Sequence, residues 1–268
     1  MLAISPTGQT APVPGIPSGI AGLVFHRGTL YASVVGQRGG KIIAYTGWNG
    51  KRFTAARTIF DARRTVGSVN GLAWGPDGRL YAGAGLTGEE FDKHGKPARP
   101  SFPHAYTVFS IKPDGRDFRV LARGLRQPWQ LTFASGSRYP FVSVLSQEVG
   151  QIPPDAIVHA KPGQNYGFPW CFAGVGIACG GGKFAKPLIT LPEHSSPMGI
   201  QAVGTQLYVA LFNGIGKSGP EVVRIPAKAG GKPTPVLTGF VAPLVALGNS
   251  GGYLYTGDLS GSIYKVAL

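Results

Sequence analysis

The sequence predicts an all-β protein, a β-propeller of four-stranded antiparallel blades built as one domain over residues 1–268. Three observations predict it. Glycine and proline number 42 and 23, about a quarter of the chain and roughly twice the usual share. Both are poor helix residues, which excludes bundles and coiled coils. Hydrophobic residues make up 43% and charged residues 14%, so the chain can bury a core and is not a disordered polymer. One phrase also recurs five times: an apolar strand, a tight turn, then a second strand opening at leucine-tyrosine or its equivalent.

The first copy is Gly22-Leu23-Val24-Phe25, a turn at His26-Arg27-Gly28, then Leu30-Tyr31-Ala32. The second is Gly71-Leu72-Ala73-Trp74, the turn Gly75-Pro76-Asp77-Gly78, then Leu80-Tyr81-Ala82. A looser third pairs Gln130-Leu131-Thr132-Phe133 with Phe141-Val142-Ser143-Val144. The fourth pairs Met198-Gly199-Ile200-Gln201 with Leu207-Tyr208-Val209, and the fifth Leu244-Val245-Ala246-Leu247 with Leu254-Tyr255-Thr256.

Third strands follow each phrase, at Lys41–Tyr45, Tyr106–Ile111, Ala156–His159, Glu221–Ile225 and Ser262–Val266. Edge-like fourth strands follow three of them, at Phe53–Ala56, Phe118–Leu121 and Pro235–Thr238. Four strands repeated every ~45–65 residues is the pattern of propeller blades. The fifth unit stops after its third strand. The amino-terminal residues Leu2–Gly8 are expected to supply the missing outer strand and close a five-bladed ring, since Pro6 is tolerable at an edge. The alternative is a six-bladed parent that lacks its first blade.

No apolar run approaches the ~20 residues of a membrane span. The first residues lack the basic and apolar regions of a signal peptide, so the chain reads as cytoplasmic or as one whose signal has been removed. Cys171 and Cys179 share a glycine-rich loop and are close enough to bridge, although two free thiols fit the sequence as well; a disulfide would favour an oxidising compartment. The net charge is +14. Its basic residues are scattered through turns, and no nucleic-acid motif accompanies them. No specific nucleic-acid partner is expected, only weak polyanion binding at low salt.

Four phrases carry a resemblance: Gly163-Gln164-Asn165-Tyr166-Gly167-Phe168-Pro169-Trp170, Pro153-Pro154-Asp155-Ala156-Ile157, Gly124-Leu125-Arg126-Gln127-Pro128 and His194-Ser195-Ser196-Pro197-Met198-Gly199. In order and spacing they resemble the soluble glucose/sorbosone dehydrogenases, propellers that bind pyrroloquinoline quinone (PQQ) and calcium. The resemblance implies a periplasmic or secreted oxidoreductase acting on a small carbohydrate-like ligand, a sugar or polyol, with PQQ and calcium as cofactors. It departs from the family at the quinone site. The family's catalytic histidine falls at Gly67, its asparagine at Gln127, its fifth-blade lysine near Leu211-Phe212-Asn213, and its last arginines near Val241-Ala242-Pro243.

Candidate site residues are polar groups that open an inner strand or close the next one, because propeller sites sit on the loops at one mouth. Arg126, with Gln127 and Gln130 on the same strand, is the candidate for holding the cofactor's anionic groups. The resemblance places calcium ligands at Glu148, Val149 and Gly150; Glu148 reads equally as a loop acid. His194 is the catalytic candidate, its ordinary pKa lying near neutrality, or a structural cap. Asn70, Asn213 and Asp258 occupy comparable inner positions and together with Glu148 could ring a single divalent metal, an arrangement similar to gluconolactonase-type propellers. Turn residues bonding their own backbone are the plainer reading. Asn165 and Tyr166 read as structural. Two other functions stay open: a metal-dependent hydrolase or lactonase using the channel carboxylates, and a non-catalytic binding propeller with a degenerate site; in place of PQQ and calcium the cofactor would be a single divalent metal or none.

Overall fold

The computed structural model describes the chain apart from residues 6, 36–38, 87–99, 148–151, 177–178 and 180–182 and the Lys217 side chain. A short hairpin, β1 (Leu2–Ile4) with β2 (Thr10–Pro12), precedes five blades. The first blade is β3 (Ile20–His26), β4 (Thr29–Val34), β5 (Lys41–Trp48) and β6 (Phe53–Asp61). The second is β7 (Leu72–Trp74), β8 (Leu80–Ala84), β9 (Thr107–Ile111) and β10 (Arg119–Arg123). The third is β11 (Gln127–Thr132), β12 (Phe141–Leu145) and β13 (Ala156–His159). Beyond β14 (Gln164–Asn165), β15 (Ile189–Thr190) completes it. The fourth is β16 (Pro197–Val203), β17 (Gln206–Leu211), β18 (Glu221–Pro226) and β19 (Thr234–Leu237). The fifth has three strands, β20 (Leu244–Ser250), β21 (Tyr253–Asp258) and β22 (Ile263–Ala267). Every repeat seen in the sequence is therefore a blade.

The expected closure by the amino terminus does not occur. Leu2–Ile4 pairs in register with Thr10–Pro12, and a turn in which Gly8 N donates to Ser5 O (2.9 Å) joins them. Met1 and Ile16 then pack beside Leu30, Ala32 and Tyr45 of the first blade. A hairpin a few residues long costs far less loop-closure entropy than a pairing with a strand at the far end of the chain. Beta-22 is left as an edge.

Inner strands pack side by side from β3 to β7, β7 to β11, β11 to β16 and β16 to β20, with no comparable packing from β20 back to β3. The joints are tight. A Cβ on Gly22 would meet Leu72 N at 2.4 Å, one on Gly71 would meet Trp129 O at 2.7 Å, and one on Gly199 would meet Leu247 N at 2.7 Å. Between these joints lie apolar layers, such as Leu72, Leu80 and Phe109 between the first two blades and Ile157, Ile200 and Leu207 between the third and fourth.

The segment after β13 carries the phrase with the most specific resemblance. It returns to the previous blade, where β14 pairs parallel with β10 as a fifth strand. Tyr166 is fully buried there, its hydroxyl donating to Gln164 Oε1 (2.8 Å) and His159 O (3.2 Å). Burial pushes its phenol well above the ordinary tyrosine range. Asn165 Oδ1 accepts from Gly167 N (3.0 Å), and Cys171 and Cys179 form a disulfide in the following loop. The phrase acts as a clamp between two blades.

Candidate functional site

In each blade the inner strand begins, and the second strand ends, at one mouth of the channel. Four inner strands, β3, β11, β16 and β20, slip register near that end. Such bulges add local twist and re-aim the side chains beside them.

One open cavity lies where the fourth blade meets the fifth. It has a volume of about 530 Å³ and is lined by His194, Phe212, Asn213, Gly219, Pro220 and Pro243 among others. His194 and Ser196 both hold left-handed backbone, with φ of 60° and 50°, a conformation non-glycine residues adopt only when their surroundings enforce it. The enforcement is visible. Asn213 Nδ2 donates to His194 O (2.9 Å), and Phe212 N donates to Ser196 O (3.0 Å). Asp155, buried in the third blade, accepts from Ser196 N through Oδ2 and from Ser146 N through Oδ1, both at 2.7 Å. One carboxylate thus fixes the end of β12 and the approach to β16. The sequence marked the Pro-Pro-Asp phrase only as a resemblance; its role as a strut shows only when the two loops are seen together.

The other candidates are dispersed. Arg126 Nη1 donates to Ser146 O (2.6 Å) at the mouth of the third blade. Gln127 Oε1 accepts from Leu86 N (2.7 Å), joining that blade to the second. Gln130 lies deeper and lines a different cavity, in the channel, with Gln201 and Tyr255. Asn70 is buried, and its side-chain Nδ2 donates to Pro128 O (2.7 Å) while its backbone carbonyl accepts from Ser33 Oγ (2.5 Å), so it ties three blades together. Asp258 is buried and fully engaged: Oδ1 accepts from Ser260 N, Ser260 Oγ and Ser262 N, and Oδ2 from Tyr264 OH. The Ser260 hydroxyl, with desolvation opposing and Tyr264 assisting, holds its carboxyl below the ordinary value of 3.8. Glu148, Val149 and Gly150 lie outside the described residues. Asn213 shares the cavity with His194, whereas Asn70 and Asp258 each bond within their own surroundings. Among the described residues no three His, Cys, Asp or Glu side chains converge as a metal site.

No protein-family model and no curated protein sequence matches the chain. Solved structures do. The PQQ-bound aldose sugar dehydrogenase from Streptomyces coelicolor is similar at 22% identity and a TM-score of 0.75, over 99% of this chain and 87% of that one. The chain has the fold of the soluble sugar dehydrogenases. The PQQ domain of pyranose dehydrogenase from Coprinopsis cinerea follows at 16% identity and 0.69, over 100% of this chain and 87% of that one. A nidogen/laminin complex is also similar, at 16% identity and 0.64 over 100% and 84%. The likeness shows the fold and leaves the chemistry to the residues of this chain.

PQQ carries three carboxylates, which call for several cationic partners. Of the positions compared, the described residues offer Arg126. The second strand of the fourth blade runs out into Phe212 and Asn213, and the fifth blade opens at Val241-Ala242-Pro243, with Val241 almost wholly exposed. Arg126 is thus the one cationic match among the compared positions that are described, and the calcium candidates Glu148, Val149 and Gly150 lie outside the described residues.

Proposed function

We propose that the protein is a sugar- or polyol-directed oxidoreductase of the dehydrogenase fold, with the mouth cavity beside His194 as its carbohydrate site. The observation that supports this most is the cavity itself, which lies where the fourth blade's second strand ends and is lined by a histidine, an amide and an aromatic ring. Imidazole and amide side chains both carry donors and acceptors, chemistry suited to vicinal hydroxyls, and one N–H of Asn213 holds His194 O in place. Phe212 offers an apolar surface for the ring face. His194 is the group positioned to hold a hydroxyl proton, and the strut from Asp155 through Ser196 keeps it in place.

A second reading, a carbohydrate-binding propeller without turnover, is favoured by the mismatch at Asn213 and Val241–Pro243. Dye-linked turnover of an aldose and polyol panel, with and without added PQQ and calcium, separates the two. Turnover that depends on both additions and falls ~10²-fold or more in His194→Ala supports the oxidoreductase. Saturable sugar binding with no turnover supports the second reading. Neither binding nor turnover overturns both.

A further inference from the structure

The fourth-blade wall of the cavity is a single loop. Residues 212–220 join β17 to β18 at the mouth, and Phe212, Asn213, Gly219 and Pro220 of that loop line the cavity beside His194. Left to itself the loop would be loose. Gly214, Gly216 and Gly219 all hold left-handed backbone, with φ of 77°, 60° and 97°, and glycine loses more conformational freedom on ordering than any other residue. Asn213 keeps one place only if other contacts fix the loop.

Three contacts do so. Ile215 packs against the apolar layer between the third and fourth blades. Gly219 N donates to Asn213 O (3.1 Å) and closes the loop at its neck. The third contact is Glu221, the first residue of β18, which pairs with Leu211, the last of β17. Its carboxylate reaches back into the loop, where Oε1 accepts from Ile215 N (2.6 Å) and from Ser218 Oγ (3.1 Å). Glu221 is only 3% exposed. Burying a carboxylate is costly unless its oxygens are bonded, and bonds to an ionised oxygen are the stronger kind. An apolar side chain would fill the same space without that cost, so the acid is accounted for by the loop it holds.

The hold reaches the site in two steps. The loop fixes the backbone of Asn213, and Asn213 Nδ2 donates to His194 O (2.9 Å), the carbonyl of a residue whose left-handed backbone needs outside support. Asp155 grips the other side of the same corner through Ser196 N. Two buried carboxylates thus brace the residues around the cavity, one from the third blade and one from the fourth.

We propose that Glu221 is a positioning residue of the carbohydrate site: through the loop it braces, it sets where the Asn213 amide stands against His194 and a bound sugar. The proposal rests on the reading of this cavity as a carbohydrate site, so it is tested without sugar as well as with it.

Glu221→Leu removes the acceptor at similar volume, and Glu221→Gln keeps one. Amide hydrogen exchange of residues 212–220 in the sugar-free chain should be about tenfold faster in Glu221→Leu than in the parent and close to the parent in Glu221→Gln, with exchange in β8 unchanged in both. Calorimetric titration with an aldose and polyol panel that includes D-glucose and D-sorbitol should show about tenfold weaker binding in Glu221→Leu and near-parent binding in Glu221→Gln. A residue that acts through Asn213 also gives a non-additive pair: Asn213→Ala loses about tenfold, and adding Glu221→Leu to it loses little more. Unchanged exchange in Glu221→Leu, equal losses in Glu221→Gln and Glu221→Leu, or losses that multiply to about 100-fold in the double variant would overturn the proposal. A parent that binds no member of the panel overturns the carbohydrate site itself and this role with it, and the exchange data then show separately whether Glu221 braces the loop.

Discussion

Two kinds of residue do most of the work at the smallest scale: glycines that let inner strands touch, and buried polar groups that fix loops. Gly22 has ordinary backbone, so an alanine there is opposed by space alone. Its Cβ would press on Leu72 N and Gly71 Cα at 2.4 and 2.6 Å, and both are backbone atoms that cannot swing away. Gly22→Ala is expected to cost about 1–3 kcal/mol, the usual range for overpacking, measured by urea unfolding. Asp258 gives a pH signature. Its carboxyl is held below 3.8 in the folded state, so its contribution is complete above about pH 4 and is lost as the pH falls through the lower folded value. Asp258→Asn should therefore be less stable than the parent at pH 7, and the gap should narrow on acidification toward pH 2. A gap that stays constant with pH would show that the carboxylate charge is irrelevant there. His194, Asn213 and Asp258 were legible as mouth residues because they bracket strands in the repeat. Asp155 was not legible as a strut, because its two partners lie 9 and 41 residues away and no local pattern joins them.

At the scale of the element, the repeat made the inner three strands of every blade readable. Alternating apolar residues and leucine-tyrosine openings set them by the two-residue period of strands. The third blade's outer strand, Ile189–Thr190, was not readable, since two residues carry no period. Beta-14 was hidden for the same reason, and because its partner belongs to another blade. The clamp that β14 begins can be tested through Tyr166. Tyr166→Phe removes a buried hydroxyl with two acceptors and should cost about 1 kcal/mol. Tyr166→Ala empties a fully buried ring site and should cost about 3–5 kcal/mol. Both are read from thermal or urea unfolding, and a ring that merely decorated the loop would give less than about 0.5 kcal/mol for either.

For the whole molecule, blade number and order followed from the sequence, while closure did not. A repeat specifies what each blade looks like but not whether a terminal segment travels around the ring, and here the nearby hairpin captures Leu2–Ile4 first. The dehydrogenase likeness covers nearly the whole chain, yet the described mouth keeps only part of a quinone's cationic surroundings. The central claim therefore rests on the carbohydrate site beside His194, and calorimetric titration with an aldose and polyol panel tests it most directly, comparing the parent chain with His194→Ala and with Gln130→Leu in the separate channel cavity. The account predicts saturable binding to the parent and to Gln130→Leu, and at least a tenfold loss in His194→Ala. Binding that survives His194→Ala but disappears in Gln130→Leu would contradict it and move the ligand into the channel.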